Sequence, residues 1–351
     1  MIEYKMNVAA ETPGQFSLDL RDHSLLSPSA ALLKKSLSIC IVATTVAFAA
    51  GLHAQSPANT LQGRWDLTID APGRELPSWI EVSQAQGRDK LVMVGVTDHA
   101  TPLKKFEIEG TAIEFVSPKG EEGFPSDMSF AGKLVGRKLE GTVTDSAGDS
   151  WHWAGVPGPS LDRKSAPHWE RSVQLFDGKD LDGWRLLDPA RTGTWKVENG
   201  FLVSTGHGTE LVTNLKFEDF KLHIEFKCSP SSNSGVFLRG RYEVQIETDS
   251  AAEPNSHHTG GVYGFLDPAP EQPRRADVWQ SFDITLVGRK ITIVQNGTTI
   301  IDNQEIPGIT GGSLDSREAL PGPIYLQGSE ENTVMFRNIV ITPAKERAVT
   351  R

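Results

Sequence analysis

From Trp65 onward, apolar and polar side chains alternate with a period of two in short runs, and no long stretch of helical spacing follows residue 55. Trp65, Leu67 and Ile69 set the pattern, which returns at residues 80–82, 91–96, 106–108, 112–116, 128–135, 138–144 and 150–154. Alternation of this kind marks strands with one buried face. With turns such as Gly136-Arg137 between them, about eight such strands predict an antiparallel meander closing into a small lipocalin-like β-barrel, which removes exposed edges. Trp151 and Trp153 near the end of the last run are expected to plug the barrel.

A Pro/Gly-rich stretch, Gly155-Val156-Pro157-Gly158-Pro159, followed by Asp162-Arg163-Lys164 and Pro167, interrupts the pattern. It reads as a linker over 158–168, separating a first domain at 58–157 from a second at 169–345. Strand runs resume at 195–197, 200–204, 221–227, 235–239, 242–247, 281–287, 290–295, 298–302, 324–327 and 334–342. Gly288-Arg289 and Asn296-Gly297 supply hairpin turns. The fold class is therefore all-β, the barrel being followed by a concanavalin A-like jelly-roll sandwich of two sheets.

Before these domains, Lys34-Lys35 precedes an apolar run at 37–50 that leads into polar Gln55-Ser56. This is the form of a secretory signal peptide, and the run is short for a bilayer-spanning helix, which needs about 20 residues. Glu3, Glu11, Asp19 and Asp22 are foreign to a signal's basic end and point to a translation start downstream of Met1. Residues 1–54 are thus set apart as leader and extension, and the expected location is periplasmic or secreted, with no integral span in the mature chain. Cys40 lies within the leader, so Cys228 is left without an intramolecular disulfide and reads as a small buried hydrophobe. A net charge of -10 argues against nucleic acid as a partner.

Polar positions opposite the apolar face of a strand show where a binding surface could lie. Glu243, Gln245 and Glu247 oppose Tyr242, Val244 and Ile246; His223, Glu225 and Lys227 oppose Leu222, Ile224 and Phe226; Tyr325 and Gln327 oppose Ile324 and Leu326. Any one row is what a solvated sheet face presents. Three rows, with Arg239 and the loop from Asn255 to Gly264, point to a sugar site.

The ordered motifs of the second half resemble the 3-keto-disaccharide hydrolase family. They run from Leu175-Phe176-Asp177-Gly178 through Gly183-Trp184, Trp195-Lys196-Val197-Glu198-Asn199-Gly200 and Asn233-Ser234-Gly235-Val236-Phe237-Leu238-Arg239 to Tyr242-Glu243-Val244-Gln245-Ile246. Phe217-Glu218-Asp219-Phe220 with Glu225-Phe226-Lys227, Thr259-Gly260-Gly261-Val262-Tyr263-Gly264, Trp279, Pro323-Ile324-Tyr325-Leu326-Gln327 and Phe336-Arg337-Asn338-Ile339 complete the set. Two places depart from the family pattern: Glu247-Thr248-Asp249 shifts or replaces an aspartate, and Gly328-Ser329-Glu330-Glu331-Asn332 stands where the family has a His-Gly pair. The resemblance implies hydrolysis of a glycoside already oxidised at C3, acting on a substrate supplied by a sugar 3-dehydrogenase. A ketone at C3 acidifies the C2 proton, so a base can form an enolate that expels the C1 group before water adds back. Glu243 is nominated as base, Arg239 and Gln245 as binders of the enolate and hydroxyl oxygens, and His258 or Tyr263 as acid. Glu225, Asn233, Glu247, Trp279 and Gln327 are expected to bind substrate. No cofactor is expected, and calcium stays open.

Other readings compete. Arg239 and Glu243 could form a structural ion pair, and His257-His258 could ligate a metal with Glu243 or Glu247, although no metal is predicted. A laminarinase-like retaining hydrolase would use Glu243 and Glu247. Cα atoms four apart in a strand are about 13 Å apart, however, against about 5 to 5.5 Å between carboxyl groups in that chemistry. A non-catalytic carbohydrate-binding module is the remaining alternative.

Overall fold

The computed structural model describes residues 61–345, apart from 97–98, 191–194, 207–208, 249–252 and 330–331; the expected leader at 1–54 lies outside the described residues. The first nine strands are β1 (Gly63–Ala71), β2 (Arg74–Ala85), β3 (Arg88–Val94), β4 (Thr101–Pro102), β5 (Phe106–Glu109), β6 (Ala112–Ser117), β7 (Met128–Val135), β8 (Lys138–Thr144) and β9 (Ser150–Pro157). They form one antiparallel sheet in the order β4-β3-β2-β1-β9-β8-β7-β6-β5. β1 pairs with β9, so the sheet curls as a half-barrel with the short β4 and β5 at its margins. Its concave side holds Leu67, Ile69, Ile80, Met93, Ile113 and Phe130. Trp153, fully buried, meets Phe115 and Phe130 edge-on, whereas Trp151 stays half-buried against Phe124 at 4.9 Å.

The later strands are β10 (Val173–Gln174), β11 (Trp184–Leu186), β12 (Trp195–Glu198), β13 (Phe201–Thr205), β14 (Leu211–Thr213), β15 (Phe220–Cys228), β16 (Asn233–Leu238) and β17 (Tyr242–Glu247). β18 (Gln280–Val287), β19 (Lys290–Gln295), β20 (Thr298–Glu305), β21 (Tyr325–Leu326) and β22 (Thr333–Pro343) follow. They build a sandwich of an eight-stranded sheet, β12-β13-β22-β15-β18-β19-β20 with β10 also on β22, and a five-stranded sheet, β11-β14-β21-β16-β17. Leu222, Ile224 and Phe226 from one sheet meet Val236, Val244 and Ile246 from the other in the shared core. Full burial of each such side chain is worth about 1.5–3 kcal/mol. Cys228 joins this core, and burial followed by the Glu247 charge pushes its thiol up to about 11, so it stays protonated at neutral pH.

The long connection from β20 to β21 is clasped from two sides. From the half-barrel, Trp79 Nε1 donates to the Ile309 carbonyl at 3.0 Å, Thr68 and Ser316 share a hydroxyl bond at 2.7 Å, and Arg64 reaches the Pro307 carbonyl and the Glu318 carboxylate. From the sandwich, the Tyr242 hydroxyl donates to Glu318 Oε1 at 2.7 Å, Arg289 reaches Glu318 Oε2 at 3.4 Å, and Arg241 Nε donates to Asp315 at 2.9 Å. Glu318 is thus a buried carboxylate satisfied jointly by both domains. Asp66 shares the cluster through Arg64 at 3.1 Å. Burial raises its pKa, the Arg64 charge offsets part of that, and the nearby Glu318 raises it further.

Candidate functional site

β17 positions the site. Tyr242, Val244 and Ile246 enter the core, so strand alternation sends Glu243, Gln245 and Glu247 to the outer face of the five-stranded sheet. That face is covered, and the three are only 5–6 % exposed. The cover begins with the segment after a 3-10 turn, Asn255–His257, which runs along the free edge of β17. Val262 bridges Val244, Tyr263 N donates to the Glu243 carbonyl at 3.1 Å, and Gln245 N donates to the Gly261 carbonyl at 3.0 Å. Antiparallel pairing therefore sets the Tyr263 side chain beside that of Glu243 on the same face.

On its other side Glu243 lies over Gly235, where a Cβ would collide with Glu243 Oε1 and Cδ. Glycine at this register leaves the space that the carboxylate occupies. Thr310, from the clasped connection, accepts from Glu243 N at 3.1 Å, and Gln327 N donates to the Gly235 carbonyl at 3.0 Å. Gln245 Oε1 accepts from Ile246 N at 3.1 Å, which leaves its amide nitrogen to donate. Asn233, directly across from Glu247, completes the row; its buried Oδ1 accepts no hydrogen bond among the described residues. Arg274 holds Glu247 at 3.2 Å, and Glu271 holds His258 Nδ1 at 2.9 Å. His257 stacks on Tyr263, with ring centroids 4.1 Å apart, and its Nδ1 faces Glu253 at 3.4 Å.

Glu243, Gln245, Glu247, Asn233, Gln327 and Tyr263 thus share one face, with His258 in the loop that edges it. Three expected residues stand elsewhere. Arg239 lies in the turn after β16 with a positive φ of 55°, and its guanidinium goes to the carbonyls of Glu318 and Gly288 and over the Tyr242 ring. It braces the clasped connection and forms no ion pair with Glu243. Glu225 lies on β15, whose outer face is on the opposite side of the sandwich, where Arg337 Nε donates to it at 2.7 Å and Asn338 at 2.6 Å. Burial alone would raise its pKa, but these hydrogen bonds outweigh that and lower it. Trp279 is on that same remote face, under Arg337 at 4.0 Å and beside Phe201.

Two groups not nominated from sequence join the site. Tyr325 on β21 stacks on Phe237 at 4.2 Å, and Phe237 is the cross-strand partner of Glu243. Burial, then the carboxylates of Glu210 and Glu243, raise the Tyr325 pKa well above the ordinary phenol value, so its hydroxyl remains a donor. His99, from the half-barrel, packs against Gly264, where a Cβ would approach His99 Cβ to 2.7 Å, and its ring centroid is 6.1 Å from that of His257. The alternation of residues 324–327 already displayed Tyr325 on the polar side; nothing local to His99 reported its long-range contact.

Residues 171–342 match the model of the 3-keto-alpha-glucoside-1,2-lyase-like domain. A 3-keto-disaccharide hydrolase from Bacteroides thetaiotaomicron is 33% identical over 166 residues, covering 37% of this chain and 57% of that protein, so the chain spans little more than half of this relative's length. Among solved structures, a candidate glycosyl hydrolase from Parabacteroides distasonis aligns with TM-score 0.42 and 29% identity over 48% of this chain and 82% of its own. A carbohydrate-binding module from Bacillus subtilis aligns with TM-score 0.34 and 13% identity, over 46% of this chain and 95% of its own.

Proposed function

Taking as premise that residues 171–342 form a domain of the 3-keto-disaccharide hydrolase family, we propose that this protein cleaves glycosides carrying a ketone at C3 of the sugar. The observation that carries the reading is the Glu243 carboxylate, held over Gly235 with Tyr263 beside it and the Gln245 amide on the same face. Glu243 takes the C2 proton and the electron pair moves into an enolate, which the Gln245 amide stabilises by donating to its oxygen. Collapse of the enolate restores the C3 ketone, forms a C1–C2 double bond and breaks the bond from C1 to the leaving oxygen, to which the Tyr263 hydroxyl gives a proton. Water then adds across the double bond: its hydroxide bonds C1 as the Tyr263 oxygen takes its proton, and protonated Glu243 returns a proton to C2. Both side chains end as they began. His258, already committed to Glu271, serves to hold the loop.

The substrate class requires a preceding oxidation at C3, so a sugar 3-dehydrogenase is the expected supplier, and the basic and apolar run at 34–50 supports export to the periplasm or beyond. The test is incubation of the purified chain with 3-keto-trehalose, 3-keto-sucrose and their unoxidised parents. Release from the keto-sugars alone, lost in Glu243→Gln, is the expected result. Release from the unoxidised parents, or none from any keto-sugar, overturns the proposal; sugar binding without turnover would mark a binding module.

A further inference from the structure

Beside the Glu243 row, a cavity of about 790 Å³ opens between the two domains. Its first wall is the turn between β1 and β2 with the start of β2, Gly73 to Pro77. Its second is the outer face of the five-stranded sheet, with Arg185 on β11, Glu210 ahead of β14, and Tyr325 on β21. This volume lies within the range of about 300–1,000 Å³ usual for small-molecule sites.

We propose that this cavity is the leaving-group subsite and that the half-barrel, which lies outside residues 171–342, supplies one of its walls, an inference that rests on the keto-glycoside reading above. Tyr325 and Glu243 lie in one row, the β21 position being joined through Phe237 on β16 to β17. Neighbouring strands are about 4.8 Å apart, so the cavity floor lies about 10 Å from the proposed base. That is the reach of a second ring attached at C1, beyond a methyl or hydroxyl substituent. The lining is built for hydroxyls. Arg74, Arg185 and Lys216 border it with no ion-pair partner among the described residues, whereas Glu210, Asp188 and Asp315 supply acceptors. Donors and acceptors of both signs around one space suit a neutral polyol better than an anion. The high Tyr325 pKa keeps its hydroxyl a donor at the junction.

The wall contributed by Arg74 lies outside residues 171–342, so the half-barrel becomes part of the substrate site and confers preference for disaccharides. The full chain and its Arg74→Ala and Arg185→Ala variants, both at exposed positions, are assayed with 3-keto-trehalose and methyl 3-keto-α-glucoside. The expected result is an increase of about tenfold in KM for the disaccharide in each variant, with its kcat and both constants for the methyl glycoside unchanged. Equal losses on both substrates, or no change on the disaccharide, overturn the subsite. If the unaltered chain releases nothing from either keto-sugar, the function fails separately. Calorimetric titration with 3-keto-trehalose then decides the subsite: binding weakened in both variants supports it, and absent or unweakened binding overturns it.

Discussion

On the outer face of the eight-stranded sheet, His223, Glu225 and Lys227 of β15 remain partly open to solvent, each resting on a neighbour: Asp283 at 2.7 Å, Arg337 at 2.7 Å and the Trp279 ring at 5.6 Å. On the outer face of the five-stranded sheet, Glu243, Gln245 and Glu247 of β17 stand in the same alternation and are buried. The strands differ in what lies above them. β15 is flanked by side chains of its own sheet and by the Trp169 and Trp279 rings, whereas β17 is covered by the 255–266 loop, on which His99 of the half-barrel packs, and by Thr310 of the clasped connection. A polar row acquires chemistry when other elements remove it from water, because a covered carboxylate interacts with its surroundings far more strongly than a solvated one.

Glu243→Gln tests this difference most sharply: kcat on a keto-glycoside is expected to fall by about 10²–10⁴, the range for loss of a general base. Retained turnover would leave β17 no more catalytic than β15. Replacing Glu318 by Ala attacks the cover, since it strips three partners of a buried carboxylate; a stability loss of about 3–5 kcal/mol in chemical denaturation is expected. Glu122 gives the third test. It lies in the half-barrel with Ser78 donating to it at 3.3 Å, and burial pushes its pKa up to about 8 from 4.5. The folded state therefore holds this proton more tightly than the unfolded chain, so its contribution is full below about pH 4.5 and lost as pH rises through about 8. Melting temperatures from pH 5 to 8 should fall less steeply in Glu122→Gln than in the unaltered chain; identical slopes would exclude Glu122 as a source of the decline. Glu225→Gln should do least, costing at most about 1 kcal/mol and leaving kcat alone. A loss of turnover there would return β15 to the site.

Most strands were legible from period-two alternation: β7, β8, β17 and β19 have the predicted bounds, and most of the others differ by a few residues at their ends. The three-residue β11 and β14 were not, because so short a run cannot display a period. They carry or adjoin Arg185 and Glu210, so half of the cavity wall was hidden with them. The Glu243 row was legible as a face, and the Tyr263 loop as a motif. Alternation says which side of a strand a residue takes and nothing of what covers that side, which is why Glu225 and Trp279 were grouped with Glu243. Arg239 was misplaced for a related reason: it follows the last residue of β16, and the left-handed turn redirects its side chain to carbonyls distant in sequence.

The ion pair from Arg64 to Glu318 joins residues 254 positions apart. Contacts so distant along the chain form late, after loop-closure entropy has been met by other structure. The half-barrel ends at Pro157, far ahead of this connection in the chain, so it is available as a template before residues 307–318 emerge. Chains cut short before residue 318 would lack the Glu318 end of the clasp and the Tyr325 floor of the cavity, which ties assembly of the proposed site to the late arrival of a single carboxylate.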